Sequence, residues 1–71
     1  IIVYPNPSKS TVIIDAKIIL FSISIVNIDG RVVYENKGQL SNSQQIDTSN
    51  LASGVYFINI NNNITKKLII E

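Results

Sequence analysis

Apolar and polar residues alternate with a period of two over much of this chain, the pattern of half-buried β-strands. In Phe21-Ser22-Ile23-Ser24-Ile25 the period places Phe21, Ile23 and Ile25 on one face and both serines on the other. From Gly54 onward, Tyr56, Ile58 and Ile60 share a face, with Val55 and Phe57 opposite. The last segment sets Lys66, Leu68 and Ile70 against Lys67 and Ile69. Turn signals separate these runs at short intervals, as an all-β sandwich requires. Pro5-Asn6-Pro7-Ser8 ends the first strand, since two prolines cannot donate to a ladder. Asp29-Gly30 predicts a two-residue hairpin leading into Arg31. A polar loop is expected from Lys37-Gly38 through Ser43, a capped turn at Asp47-Thr48-Ser49-Asn50, and a hairpin closed by Asn61-Asn62-Asn63. The predicted strands are 1–4, 10–15, 18–28, 31–36, 44–47, 54–61 and 64–70, with a break at Asp15-Ala16-Lys17 between the second and third. No helix and no internal repeat is expected. The fold class is all-β, a small antiparallel sandwich of about seven strands.

Composition agrees. Fifteen Ile and six Val stand against two Ala, and eight Ser and nine Asn supply turn residues. Seventy-one residues make a single domain, 1–71. Burial of roughly 7,000 Å², about 60% of it apolar, yields ~105 kcal/mol. Ordering the residues costs about the same, so modest stability or support from a neighbouring domain is expected. The sequence begins inside a strand, which predicts a fragment of a longer precursor. The longest uncharged apolar run, between Lys17 and Asp29, has 11 residues and is too short for a spanning helix, which needs about 17 or more. A soluble domain is expected.

Charge and chemistry narrow the choice further. Six basic and five acidic residues give a net charge of +1, too balanced for electrostatic binding of nucleic acid. The absence of His, Cys, Met and Trp removes any imidazole base, thiol nucleophile, disulfide or zinc cluster. The acids Asp15, Asp29, Glu35, Asp47 and Glu71 lie scattered at turns and strand ends, where solvated or capping roles are expected. Asn27, Asp29, Asp47 and Asn61-Asn62-Asn63 offer oxygens to calcium, but without EF-hand spacing, and each has a local explanation as a turn residue. No catalytic residue, metal or cofactor is therefore expected. Sugar stacking on Tyr4, Phe21, Tyr34, Tyr56 or Phe57 competes with core packing, which the strand periodicity favours. Tyr56 in particular is expected to bury its ring and keep its hydroxyl at the rim. Lys9, Lys17, Arg31, Lys66 and Lys67 are expected to blunt strand edges.

Four motifs occur in order: Tyr4-Pro5-Asn6-Pro7-Ser8, Asp29-Gly30-Arg31-Val32-Val33, Ile46-Asp47-Thr48-Ser49-Asn50-Leu51-Ala52-Ser53-Gly54-Val55-Tyr56, and Lys66-Lys67-Leu68-Ile69-Ile70. Together they resemble the type A C-terminal sorting domain of the bacterial type IX (Por) secretion system, over essentially the whole chain. Glu71 departs from the pattern, since a basic residue is frequent at that end of the family. The resemblance implies a small Ig-like β-sandwich that is a secretion address rather than an enzyme. It implies a cargo covalently linked on the N-terminal side, in a Bacteroidota-type bacterium, that crosses the periplasm. It also implies recognition by the translocon and shuttle proteins at the outer membrane, and removal by a sortase-like cysteine protease cutting upstream of Ile1. The cargo is then released or held at the cell surface. Non-catalytic alternatives are a spacer or carbohydrate-binding module of a secreted enzyme, and an adhesion domain.

Within that frame the motif residues Tyr4, Pro5, Asn6, Pro7, Asp29, Gly30, Arg31, Leu51, Gly54, Val55 and Tyr56 are expected to set fold geometry. Pro5-Asn6-Pro7 is expected to fix how the first strand leaves the upstream linker. Gly30 should take a positive φ, and Gly54 should allow a bulge or close approach. The edge formed by Lys66, Lys67, Leu68, Ile69 and Ile70 is the candidate for recognition by strand addition, its lysines discouraging indiscriminate pairing.

Overall fold

A computed structural model describes residues 1–71 as seven strands and no helix. They are β1 (Ile2–Tyr4), β2 (Thr11–Asp15), β3 (Leu20–Asn27), β4 (Val32–Leu40), β5 (Ser43–Asp47), β6 (Gly54–Ile60) and β7 (Ile64–Ile70). One sheet has the order β1-β2-β5 and the other β4-β3-β6-β7, with every neighbouring pair antiparallel. The two inner faces enclose a single core. Val12, Ile14 and Ile46 come from the three-stranded sheet, and Leu20, Ile23, Ile25, Tyr56, Ile58, Ile60, Leu68 and Ile70 from the four-stranded one. Alternation in β6 and β7 is as the sequence predicts: Tyr56, Ile58 and Ile60 are buried, as are Leu68 and Ile70. Ala16 seals the break after β2, and its N–H donates to the Asn42 carbonyl (2.8 Å).

Three expectations are corrected. The polar stretch after residue 36 is strand as far as Leu40, and only residues 41 and 42 separate β4 from β5. The step from Leu20 to Ser22 on β3 faces the step from Lys37 to Leu40 on β4, so β4 carries one extra residue there. Gly38, at φ +117°, supplies the backbone this bulge needs. Lys37 and Gln39 stay exposed while Leu40 packs against the core.

Beside it, β3 changes phase between Ser22 and Ile23, which are both buried although the period sets them on opposite faces. Leu20 enters the core, and Phe21, expected beside Ile23 and Ile25, is 50% exposed. Ile18 and Ile19 lie outside the strand and are exposed. The backbone here bonds to a side chain instead of a strand: Asn61 Nδ2 donates to the Ile19 carbonyl (2.8 Å), and Oδ1 accepts the Phe21 N–H (2.9 Å).

The third correction is the Asp29-Gly30 hairpin, whose loop has three residues, Ile28, Asp29 and Gly30. The Asn27 N–H donates to the Arg31 carbonyl (3.0 Å), closing the loop. Asn27 Oδ1 accepts the N–H groups of Asp29 (3.0 Å) and Arg31 (2.9 Å). Gly30 at φ +82° completes a turn ending in a left-handed residue.

Ile58 lies at the centre of β6, fully buried, between Ile25 on β3 and Lys66 on β7. Ile58→Ala is expected to cost about 3 kcal/mol through lost burial and the cavity left behind. A domain of this size has roughly 4–10 kcal/mol in all. Urea unfolding should show a large drop in midpoint with the slope unchanged.

Candidate functional site

The antiparallel registers bring together the motifs that the sequence scatters along the chain. Tyr56 pairs with Asn27 on one side and Leu68 on the other, and Gly54 pairs with Ile70. Ser8 forms a parallel bridge to Ile70. The Asp29-Gly30-Arg31 hairpin, the start of β6, the end of β7 and the Pro5-Asn6-Pro7 segment therefore meet at one end of the four-stranded sheet.

The first motif docks on the last strand. Asn6 and Ser8 line up along the outer edge of β7, and both X–Pro bonds of the segment, Tyr4-Pro5 and Asn6-Pro7, are cis. Asn6 Nδ2 donates to the Lys67 carbonyl (3.0 Å), and Asn6 Oδ1 accepts the Ile69 N–H (3.1 Å). The Ser8 N–H donates to the Ile69 carbonyl (2.8 Å), and the Glu71 N–H donates to the Ser8 carbonyl (2.8 Å). The Asn6 carboxamide thus stands in for a peptide group of an eighth strand, which proline-flanked backbone cannot supply. Ser8 is the fixed end of this clamp. It is fully buried, its Oγ donates to the Thr11 carbonyl (2.8 Å), and it lies 3.4 Å from the buried Thr48 hydroxyl. Asn6 itself is exposed. The expected role of Pro5-Asn6-Pro7 in directing the chain's exit missed this contact with β7, which spans more than 60 positions in sequence.

The long third motif builds a corner. The Asp47 carboxylate accepts the Ser49 N–H (2.9 Å), and the Leu51 N–H donates to the Thr48 carbonyl (3.0 Å), so the predicted capped turn is present. Leu51 packs against the core. Gly54 begins β6 at φ +150°, with no neighbour near the position a Cβ would take, so its conformation and not close approach requires glycine. Tyr56 is 7% exposed and its hydroxyl donates to the Ala52 carbonyl (2.6 Å), the buried ring and rim hydroxyl the sequence predicts. The arrangement is that of a tyrosine corner.

The other aromatics are more exposed than expected. Tyr4 is 42% exposed because Val3 is the residue of β1 that packs inward. Phe21 lies on the other sheet, while Tyr34 packs against the core half-buried and Phe57 is half-buried. The amide oxygens considered for calcium serve the backbone: Asn27 Oδ1 and Asn61 Oδ1 each accept N–H groups, and Asn61 and Asn62 hold φ of 54° and 62°. Lys66 and Lys67 are exposed and take no part in the structure's one ion pair, Lys37–Glu35 (3.7 Å). No helix is long and apolar enough to cross a membrane.

The model of the family described as secretion system C-terminal sorting domain matches residues 2–71. No curated protein and no solved structure matches.

Two substitutions test the corner. Tyr56→Phe should cost about 1 kcal/mol in urea unfolding, because it deletes the bond to Ala52 and leaves that carbonyl without its partner. The Ser49 hydroxyl, and after it the Ser49 N–H, hold the exposed Asp47 carboxyl below its usual pKa, against a small opposing effect of desolvation. A depressed folded-state pKa adds stability that is present in full above the unfolded-state value and is lost as pH falls through the folded one. Asp47→Asn should therefore flatten the acid limb: wild-type stability falls more steeply than the variant's as pH drops through the carboxylate range, measured by urea midpoints.

Proposed function

Because the chain belongs to the family of secretion system C-terminal sorting domains, we propose that it is the detachable address of a secreted cargo, bound and removed by others. Membership establishes the coarse role: a C-terminal sorting signal of type IX secretion, which implies interaction with that machinery and passage across the outer membrane. The observation that carries this reading is the family match across residues 2–71. The finer steps follow the family pattern. The cargo is joined upstream of Ile1, crosses the periplasm, and is presented to the translocon and shuttle proteins at the outer membrane. A sortase-like cysteine protease then separates it from the domain, which acts as ligand and substrate rather than enzyme.

The recognition surface we propose is the end of the four-stranded sheet where the motifs converge, with the outer edge of β7 as its polar centre. Three features support this. β7 is an edge strand, its backbone offers directional hydrogen bonds to an added strand, and Lys66 and Lys67 are unpaired cations beside it. Gly30, Gly54 and the Tyr56 corner hold this end in shape without needing to touch a partner.

A signal-peptide-bearing fluorescent reporter fused through the native linker to residues 1–71 tests the reading. Delivery to the cell surface that requires an intact type IX system is the expected result, and retention of a folded fusion in the periplasm would overturn it. Deleting residues 66–71 from the fusion should abolish export while the reporter still fluoresces.

A further inference from the structure

The outer edge of β7 is only partly open, and the groups that close it differ in kind. Lys67 C=O, both polar groups of Ile69 and Glu71 N–H bond to residues 6 and 8, so the odd-numbered residues of β7 face away from β6. By the alternation of an antiparallel ladder, Thr65 N–H and C=O and Lys67 N–H face outward as well. Those three groups lie beyond the clamp. At the far end, Ser8 closes the edge with backbone bonds from a fully buried residue. Between the two, Lys67 C=O and Ile69 N–H are held by one exposed side chain, Asn6.

We infer that the exposed Pro5-Asn6-Pro7 segment, pinned by the Asn6 side chain, is a displaceable plug in the β7 edge, and that what is admitted when it lifts away is an extended, acidic strand of a partner protein. Lifting residues 5–7, all exposed, off the edge breaks only the two hydrogen bonds of Asn6 and raises the open backbone groups from three to five. The buried Ser8 fixes the limit of the added strand opposite Ile69. Charge selects the occupant. Lys66 and Lys67 have no counter-ion in the domain, and an acidic strand provides one. A second copy paired antiparallel through the same edge would set Lys67 against Lys67, an unfavourable like-charge pair. The lysines thus repel self-association and attract the partner, while Asn6 keeps the central backbone groups satisfied until it arrives.

This inference rests on the reading of β7 as the recognition edge and adds how access to it is controlled. The test uses the isotope-labelled 71-residue chain and, as probe, a capped six-residue peptide of alternating valine and glutamate. In wild type the Ile69 amide should exchange slowly, and the peptide should shift the Thr65 and Lys67 amides weakly. Asn6→Ala should speed Ile69 exchange and tighten peptide binding about tenfold, the scale of two freed hydrogen bonds, with shifts spreading to Ile69. The double variant Lys66→Glu, Lys67→Glu should abolish binding. Asn6→Gln, uncharged and with its amide displaced by one methylene, should fall between wild type and Asn6→Ala and covers the case where alanine unfolds the domain. Equal affinities for wild type and both Asn6 variants, peptide shifts mapping away from β7, or self-association of an Asn6 variant in place of peptide binding would each overturn the inference. Export that depends on residues 66–71 but peptide affinity that ignores Asn6 would refute the plug and leave the sorting role standing.

Discussion

Four of the seven strands are edges. Two small sheets in the orders β1-β2-β5 and β4-β3-β6-β7 leave β1, β5, β4 and β7 each with one side unpaired. Every such side presents backbone donors and acceptors that must be satisfied, solvated or shielded. A chain of 71 residues has no helix or long loop to lay over them. On β7 this need is met by a side-chain amide, and the same device recurs away from the edges, wherever backbone partners run short. Asn6 serves β7, Asn61 the irregular start of β3, Asn27 the hairpin, and Asp47 the corner before β6. The nine asparagines of the composition are thus more than turn formers. No buried side-chain nitrogen or oxygen is left without a partner, so this economy leaves no polar debt in the core.

The same constraint links fold to role. A sorting domain is read from outside, and what a small sandwich offers to a reader is its ends and edges. The convergence of four sequence motifs at one end of the larger sheet gathers the Gly54 strand start, the Tyr56 corner and the Asn27 hairpin around the end of β7. Core and the proposed recognition surface are then hard to separate. Tyr56 packs inward and ties down Ala52, while its strand neighbour Leu68 anchors the segment that carries the two lysines.

Much of this was legible in the sequence because it is local or periodic. The alternation in β6 and β7 gave the correct faces, and seven strands were found where seven were expected. The turn residues at Asp47 and Asn61 behave as their chemistry dictates. What escaped was set by contacts distant in sequence or by an added residue in one strand. Phe21 follows the period of Ile23 and Ile25, yet β3 changes phase between Ser22 and Ile23, where distant Asn61 holds the backbone of its start, and Phe21 turns outward. Gly38 read as a loop residue because glycine marks both loops and bulges. The Asn6 contact lies 61 and 63 positions from its partners, so its residue type signals a turn and nothing in the intervening chain points to β7. The motif was visible in the sequence, but its role was not.

The parallel bridge between Ser8 and Ile70 also has a mechanical meaning. Residues 6–8 run alongside β7 in the same direction, one near the beginning of the chain and the other at its end. Tension applied between the two termini draws these segments past each other lengthwise. The bonds of Asn6 and Ser8 are then loaded simultaneously in shear, instead of being peeled open one after another. The domain is accordingly fastened against a pull on its ends where residues 6–8 lie along β7, the same strap that has to lift for the edge to open.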